Sequence, residues 1–283
     1  MTVQVLAPRD VSTTLNYHSA LNDETPYNYV NEPPPGVPKT NVGQDTHPVI
    51  IHDARGKEVE LGLDKSGFQF INYPSVEKDF LDEEKIKLVY YAEVEEILKK
   101  YAAAKKVLIF DHTIRRNYDD GALQQTPSLK ATVRGPVQRV HVDQTFEAAA
   151  QRVKLHLGDD AERLLKGRYR IINVWRPIGH LVAHSPLAVA DYRSLDPKAD
   201  LVFTRHIYPT REGSTFSVKY NPSHKWYYLP DQTPDEVILI KCFDSDVDRA
   251  RLTPHSAFMD DTSPKEAPLR QSIEVRALVF DTE

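Results

Sequence analysis

From residue 169 onward the chain is a succession of short apolar runs cut by turn residues, and no other feature constrains its fold as much. Tyr169–Trp175, Leu201–Tyr208, Thr215–Tyr220, Lys225–Leu229, Glu236–Phe243, Leu252–Phe258 and Ser272–Phe280 read as strands, rich in β-branched and aromatic side chains. Asp196-Pro197, Asn221-Pro222, Pro230-Asp231 and Ser263-Pro264 separate them, with the residue types that turns favour. Many short strands behind a helix-bearing N-terminal part predict a mainly β fold with supporting helices, a sandwich or a jelly-roll barrel. No repeat or sharp boundary divides the sequence. A single domain over 1–283 is expected, with the helices and β core in 61–283.

Residues 1–60 are read as an arm wrapping that core. Residues 1–45 look loop-rich, and the Pro-rich run Asn31–Pro38 fits a surface arm better than a ligand for an SH3-type module. His47–Asp53 and Phe68–Tyr73 look like short strands. Asp82–Lys106 is the strongest helix: Asp82 caps it, and Ile86, Val89, Tyr90, Val94, Ile97 and Leu98 form one apolar stripe. Val107–Phe110 reads as a buried strand, 117–134 as a mobile loop, and Thr145–Leu157 and Asp159–Lys166 as helices ended by Gly158 and Gly167.

Chemistry enters at Val137-Gln138-Arg139-Val140-His141-Val142-Asp143, which alternates apolar and polar residues as a half-buried strand does. Side chains two apart on a strand share a face, so His141 and Asp143 point together while Val140 and Val142 point away. An imidazole beside a carboxylate is two-thirds of the two-His-one-carboxylate triad that holds non-haem Fe(II). With 11 His and 41 Asp plus Glu in 283 residues, the bare pair is expected by chance, so context has to decide. His255, on the second-to-last expected strand, supplies a distant imidazole. Arg270 and Arg276, at and within the last strand, supply a cation whose fork suits the far carboxylate of 2-oxoglutarate.

The totals exclude several classes. A formal charge of −5 with no basic cluster of interleaved aromatics argues against nucleic acid. No apolar run reaches membrane-spanning length, and Met1–Asp10 lacks the apolar core of a signal peptide. The single cysteine, Cys242, excludes an intrachain disulfide and a thiolate zinc cage, and it lies in an apolar run. A cytoplasmic protein acting on a small molecule is expected, and the sequence sets no oligomeric state. Asp244-Ser245-Asp246-Val247-Asp248 begins like a calcium loop, but Arg249 and His255 stand where Gly and Glu are needed, so it reads as a solvated turn.

The runs Phe110–Arg116, Arg134–Asp143, Ile171–Ile178, Tyr220–Tyr228, Lys241–Ser245 and Thr253–His255 together resemble a fungal and bacterial hydroxylase/desaturase family of non-haem Fe(II)/2-oxoglutarate oxygenases. That family includes gibberellin-desaturase-like and cephalosporin-methoxylase-subunit-like members and an oxygenase that closes an aziridine ring on valine. The resemblance spans roughly residues 60–280. It implies a double-stranded β-helix using Fe(II), 2-oxoglutarate and O2, with His141, Asp143 and His255 as metal ligands. It implies secondary metabolism, with an unactivated C–H bond oxidised by hydroxylation, desaturation or ring closure. The co-substrate arginine is expected at Arg270 rather than Arg276, because the Pro-containing loop Asp260–Pro268 accounts for the extra residues after His255.

Asn173, Trp175 and the Tyr220–Tyr228 segment, Tyr228 included, are expected to line the cavity. Core packing is an equal reading for Trp226 and Tyr228. Arg115, Arg116 and Arg176 fit surface ion pairs better than a ligand role. A guanidinium near the iron suits a carboxylate-bearing substrate, which puts small acids and amino acids first. Two rival readings remain: a non-redox, cupin-like isomerase or hydrolase, and a silent partner subunit of a methyltransferase.

Overall fold

The computed structural model describes residues 8–116 and 135–283; the loop expected over 117–134 lies outside them. The strands are β1 (Val11–Ala20), β2 (Tyr27–Tyr29), β3 (Val42–Asp53), β4 (Phe68–Asn72), β5 (Lys106–Arg115), β6 (His141–Val142) and β7 (Tyr169–Pro177). They continue with β8 (Leu187–Ala190), β9 (Leu201–Ile207), β10 (Glu212–Val218), β11 (Trp226–Tyr228), β12 (Glu236–Asp244), β13 (His255–Ala257) and β14 (Ser272–Phe280). The helices are α1 (Glu83–Lys85), α2 (Tyr91–Tyr101), α3 (Phe146–Leu157) and α4 (Ala161–Leu164). A π-helical turn, Ile86–Tyr90, joins the first two.

Two sheets form the jelly roll. One has nine strands in the order β1-β3-β11-β8-β13-β6-β10-β9-β2, the other five in the order β4-β12-β7-β14-β5. Period-two alternation on the five-stranded sheet explains its layers. Ile172 and Val174 of β7, with Ile273, Val275, Ala277 and Val279 of β14, turn outward onto Val94, Ile97 and Leu98 of α2. Ile171 and Trp175 of β7 and Leu278 and Phe280 of β14 turn inward, to pack with Val189 of the larger sheet. Each such fully buried Val, Ile or Leu contributes roughly 1.5–3 kcal/mol. The same parity sends Asn173, Glu274 and Arg276 inward, so polar side chains enter the space between the sheets at one level.

The helix expected over Asp82–Lys106 starts as expected, with the Asp82 carboxylate accepting from the Glu84 and Lys85 amides, but ends at Tyr101, and Lys106 opens β5. Thr145 caps α3, accepting from the Ala148 amide. The N-terminal segment differs from the loop-rich arm expected of it. β1 and β3 pair antiparallel from Val11↔Ile51 to Ala20↔Val42, and β3 then joins β11 in the nine-stranded sheet. In β1, Ser12, Thr14 and Asn16 face outward while Leu15 and Tyr17, with Ile51 of β3, enter the core. The apolar signal is therefore carried by one sparse face. The Pro-rich run is an exposed loop between β2 and β3.

Among the described residues no helix is long and apolar enough to cross a membrane. Cys242 is buried and free, and burial pushes its thiol well up.

Candidate active site

The strand expected over Val137–Asp143 is bonded as a strand only at His141–Val142, which sits between β10 and β13. Before it, β1 satisfies the backbone: Asn16 Nδ2 donates to the Gln138 carbonyl (2.8 Å), and the Val140 amide donates to the Asn16 carbonyl (2.9 Å). Three residues of alternation are enough. Val140 and Val142 enter the core with Leu15 and Trp226, and His141 and Asp143 project together on the other side.

The second imidazole arrives through strand pairing. His255 is the direct antiparallel partner of His141 across β13 and β6, and the ring centroids are 4.4 Å apart. Each ring is held the same way: His141 Nδ1 bonds the Arg139 carbonyl (2.7 Å) and His255 Nδ1 bonds the Thr253 carbonyl (3.0 Å). A carbonyl can only accept, so both Nδ1 atoms carry a proton and each Nε2 is the nitrogen turned toward a metal position. Asp143 Oδ1 lies 3.4 Å from His141 Nε2 and 3.8 Å from His255 Nε2. Donor atoms of the three residues fall within 4.8 Å of one another. Adjacent ligands each about 2.1 Å from one ion stand about 3 Å apart in octahedral geometry, so a small closure completes the site.

The other Asp143 oxygen is anchored. Oδ2 accepts from Asn173 Nδ2 (2.7 Å) and faces Arg276 Nε (3.5 Å). Asn173 Nδ2 also reaches Glu274 Oε1 (3.1 Å), and Arg276 Nη2 pairs with that same oxygen (2.6 Å). Burial works against ionising Asp143, but the hydrogen bond from His141 and the charge of Arg276 prevail and hold it well below the carboxylate range, and the same bond, against burial, raises His141. Burial, opposed by Arg276 and reinforced by Asp143, pushes Glu274 up. Burial and the neighbouring His141 lower His255 to about 4, which favours the neutral ring a metal needs.

Arg276, one of the two expected co-substrate arginines, is already engaged by Glu274, Asp111 (3.1 Å) and Asp143. Arg270 is not. It is 4% exposed, donates through Nη1 to the Ser185 carbonyl (2.6 Å), and lies over the Trp175 ring at 5.6 Å. Its Nε has no partner among the described residues. Burial first, then the Arg115 charge, bring its pKa down to about 9, so it stays cationic at neutral pH. Trp175, Arg270 and the triad line one narrow cleft of about 30 Å³.

Two wider cavities meet at Asp143. One of about 470 Å³ is lined by Arg152, Tyr208 and Arg211, the other of about 560 Å³ by Asn16, Asn28 and Gln138; both reach Arg115 and His206. His206 and Arg152 were not singled out in the sequence. The strand parity of Thr204 and His206 on β9 is the signal that marks His206, whose Nε2 bonds Thr215 Oγ1 (3.0 Å).

Tyr228 is a correction. Its hydroxyl donates to the Arg9 carbonyl (2.6 Å), and its ring packs in the core with Phe258, away from the triad. Trp226 likewise donates to the Tyr17 hydroxyl (2.9 Å). Both face the apolar side of the nine-stranded sheet, as large aromatics with one satisfied polar atom do. Arg176 faces α2 and donates to the Tyr90 hydroxyl (2.9 Å), while Arg116 donates to backbone carbonyls at Asp79 and Phe80.

Comparison with known proteins agrees with this geometry. A family model described as an oxidoreductase/YMDC permease-like domain matches residues 15–280. The hydroxylase/desaturase efuI of Hormonema carpetanum is 39% identical over 298 residues, covering 99% of this chain and 98% of the relative. The Fe(II)/2-oxoglutarate-dependent dioxygenase nvfI of Aspergillus novofumigatus is 34% identical over 257 residues, 88% of each chain. A solved structure of the iron and alpha-ketoglutarate-dependent endoperoxidase NvfI superposes with a TM-score of 0.80 at 31% identity, covering 96% of this chain and 98% of that one. This chain belongs to the hydroxylase/desaturase family of Fe(II)/2-oxoglutarate oxygenases.

The oxygenase is thus an oxidoreductase of a family that uses Fe(II), 2-oxoglutarate and O2 on small molecules. The non-redox and silent-subunit readings give way to it. Its donor set fits the metal, two imidazoles and a carboxylate leaving positions open. Its buried Arg270, with an unpartnered Nε, fits the co-substrate's free carboxylate.

Proposed function

We propose that His141, Asp143 and His255 are the Fe(II) ligands, that Arg270 binds the distal carboxylate of 2-oxoglutarate, and that the oxygenase acts on a small organic acid. The observation that carries this is one buried cleft holding three convergent donors beside a guanidinium with no carboxylate partner among the described residues. When bound, iron and 2-oxoglutarate supply the O2-dependent oxidising power that breaks an unactivated C–H bond, with succinate and carbon dioxide as co-products.

The chain's part is placement. The Arg139 and Thr253 carbonyls fix the imidazole tautomers, and Asn173 with Arg276 turns one Asp143 oxygen toward them. Trp175 backs Arg270 with its ring face, which favours a cation in a dry site. 2-Oxoglutarate is larger than the cleft, so side chains along it separate as the co-substrate enters. Substrate then approaches from the two cavities at Asp143.

Hydroxylation, desaturation and ring closure all begin with loss of one hydrogen from the substrate. The relatives carry hydroxylase, desaturase and endoperoxidase names, and secondary metabolism in the cytoplasm is the setting this reading gives the enzyme. The test is an anaerobic reconstitution with Fe(II) and 2-oxoglutarate, followed by O2 uptake and succinate measurement across a panel of organic and amino acids. Succinate formation should require Fe(II) and vanish in Asp143→Ala. Turnover without O2, or near-normal turnover in that variant, would reject the assignment.

A further inference from the structure

We propose that Arg152 of α3 and Arg211 of the β9–β10 turn form the anchor for the substrate's carboxylate, an anion site separate from the Arg270 cleft. The inference deepens the functional reading above and rests on it.

Both arginines line the cavity of about 470 Å³ that reaches Asp143. Each guanidinium lies on an aromatic ring: Arg152 on Phe110 at 5.1 Å and Arg211 on Tyr208 at 3.9 Å. The turn that presents Arg211 is closed by the Tyr208 amide donating to the Arg211 carbonyl (3.0 Å). Among the described residues neither side chain has an ion pair or hydrogen bond, although acids line the same cavity. Those acids are taken: Glu212 is held by Arg205 (2.5 and 3.1 Å), and Asp111 by Arg276 (3.1 Å).

Burial, with Arg211 and Arg276 as like-charged neighbours, lowers the Arg152 pKa, while Asp111 opposes this. Two cations facing one cavity repel each other unless an anion lies between them. A bidentate fork on an aromatic platform is well matched to a carboxylate. A substrate held there by its acid end extends toward Asp143, so the position oxidised is remote from the carboxylate.

The test uses protein loaded anaerobically with Fe(II) and 2-oxoglutarate, with decanoate as probe and methyl decanoate as its neutral match, in titration calorimetry. Decanoate should bind about tenfold or more tighter than the ester, since charge-assisted hydrogen bonds to a carboxylate are roughly twice as strong as neutral ones. Arg152→Gln and Arg211→Gln should each erase most of that difference, and Arg152→Lys should restore part of it. Equal affinity for acid and ester, including no binding of either, overturns the proposal. So does a preference for the acid that both glutamine variants retain, because the acid then sits elsewhere. Titration with 2-oxoglutarate in the same preparation reads the underlying assignment independently. If it does not bind the Fe(II) protein, the reading of the cleft fails; if it binds while acid and ester remain equal, only the anion anchor fails.

Discussion

Two buried cations in this fold are treated in opposite ways. Lys241 of β12 is completely buried, and its ammonium contacts Asp64 (2.9 Å) and Asp244 (2.6 Å). Arg168 bridges the same two carboxylates at 2.7 and 2.6 Å. Arg270, also buried, has among the described residues only a backbone carbonyl and a ring face. A buried charge is costly unless paired. The first group is neutralised by its own chain and joins the Asp64 loop to β12. The second keeps its partner place open, as a site for an anionic ligand should.

That contrast can be broken most severely at Lys241. Replacing it with Met leaves Asp244, a completely buried carboxylate, with Arg168 as its remaining cation. Loss of one partner from a buried pair should cost about 3 kcal/mol of stability, read from the urea midpoint. Arg270→Met should behave inversely. It removes a charge that has no carboxylate partner, so the unfolding midpoint should hold or rise, while 2-oxoglutarate affinity falls by about a hundredfold. If Arg270→Met unfolds the protein and Lys241→Met does not, the distinction between structural and ligand-binding cations is wrong here.

The sequence makes one of these regions legible and hides the other. The triad is readable because strand parity fixes His141 and Asp143, and because His255 lies on a strand whose neighbours show it. The limits of β14 and the start of β7 are also readable, since dense apolar alternation fixes their register. Arg276 shares strand parity with Arg270, and only tertiary contacts show that Glu274 and Asp111 already occupy it. The Asp244–Asp248 run reads as a solvated turn, yet Asp244 is buried, because it pairs with Lys241 three residues before it and with the distant Arg168. β1 escapes for a related reason: Ser12, Thr13, Thr14 and Asn16 crowd the few core residues of that strand. β8 is a four-residue run, Leu187–Ala190, too short for any period to show.

Asn173 offers a smaller test of the same contrast, on the polar side of the cleft. It bridges Asp143 Oδ2 and Glu274 Oε1 through one nitrogen. Asn173→Ala should leave the fold intact and weaken Fe(II) affinity about 10–100-fold, the usual consequence of losing a group that orients a ligand. Competition with a chelator measures it. Unchanged affinity would leave Arg276 alone as the group that orients Asp143.

The smallest expected effect lies in the pH dependence of the paired region. Asp64 is held below the ordinary aspartate range: burial opposes ionisation, but hydrogen bonds from Lys241 and Arg168, and then their charges, outweigh it. A carboxylate whose folded pKa is depressed adds stability above its unfolded pKa and loses it as pH falls through the folded value. Wild-type stability should therefore decline more steeply than that of Asp64→Asn as pH drops below about 4. Asp64 is about a third exposed (side chain 37%), so solvent screening keeps the difference modest. Parallel urea titrations at stepped pH separate the two curves. Identical slopes would mean that the Asp64 pairs contribute nothing to the folded state, and that the neutralisation of Lys241 rests on Asp244 alone.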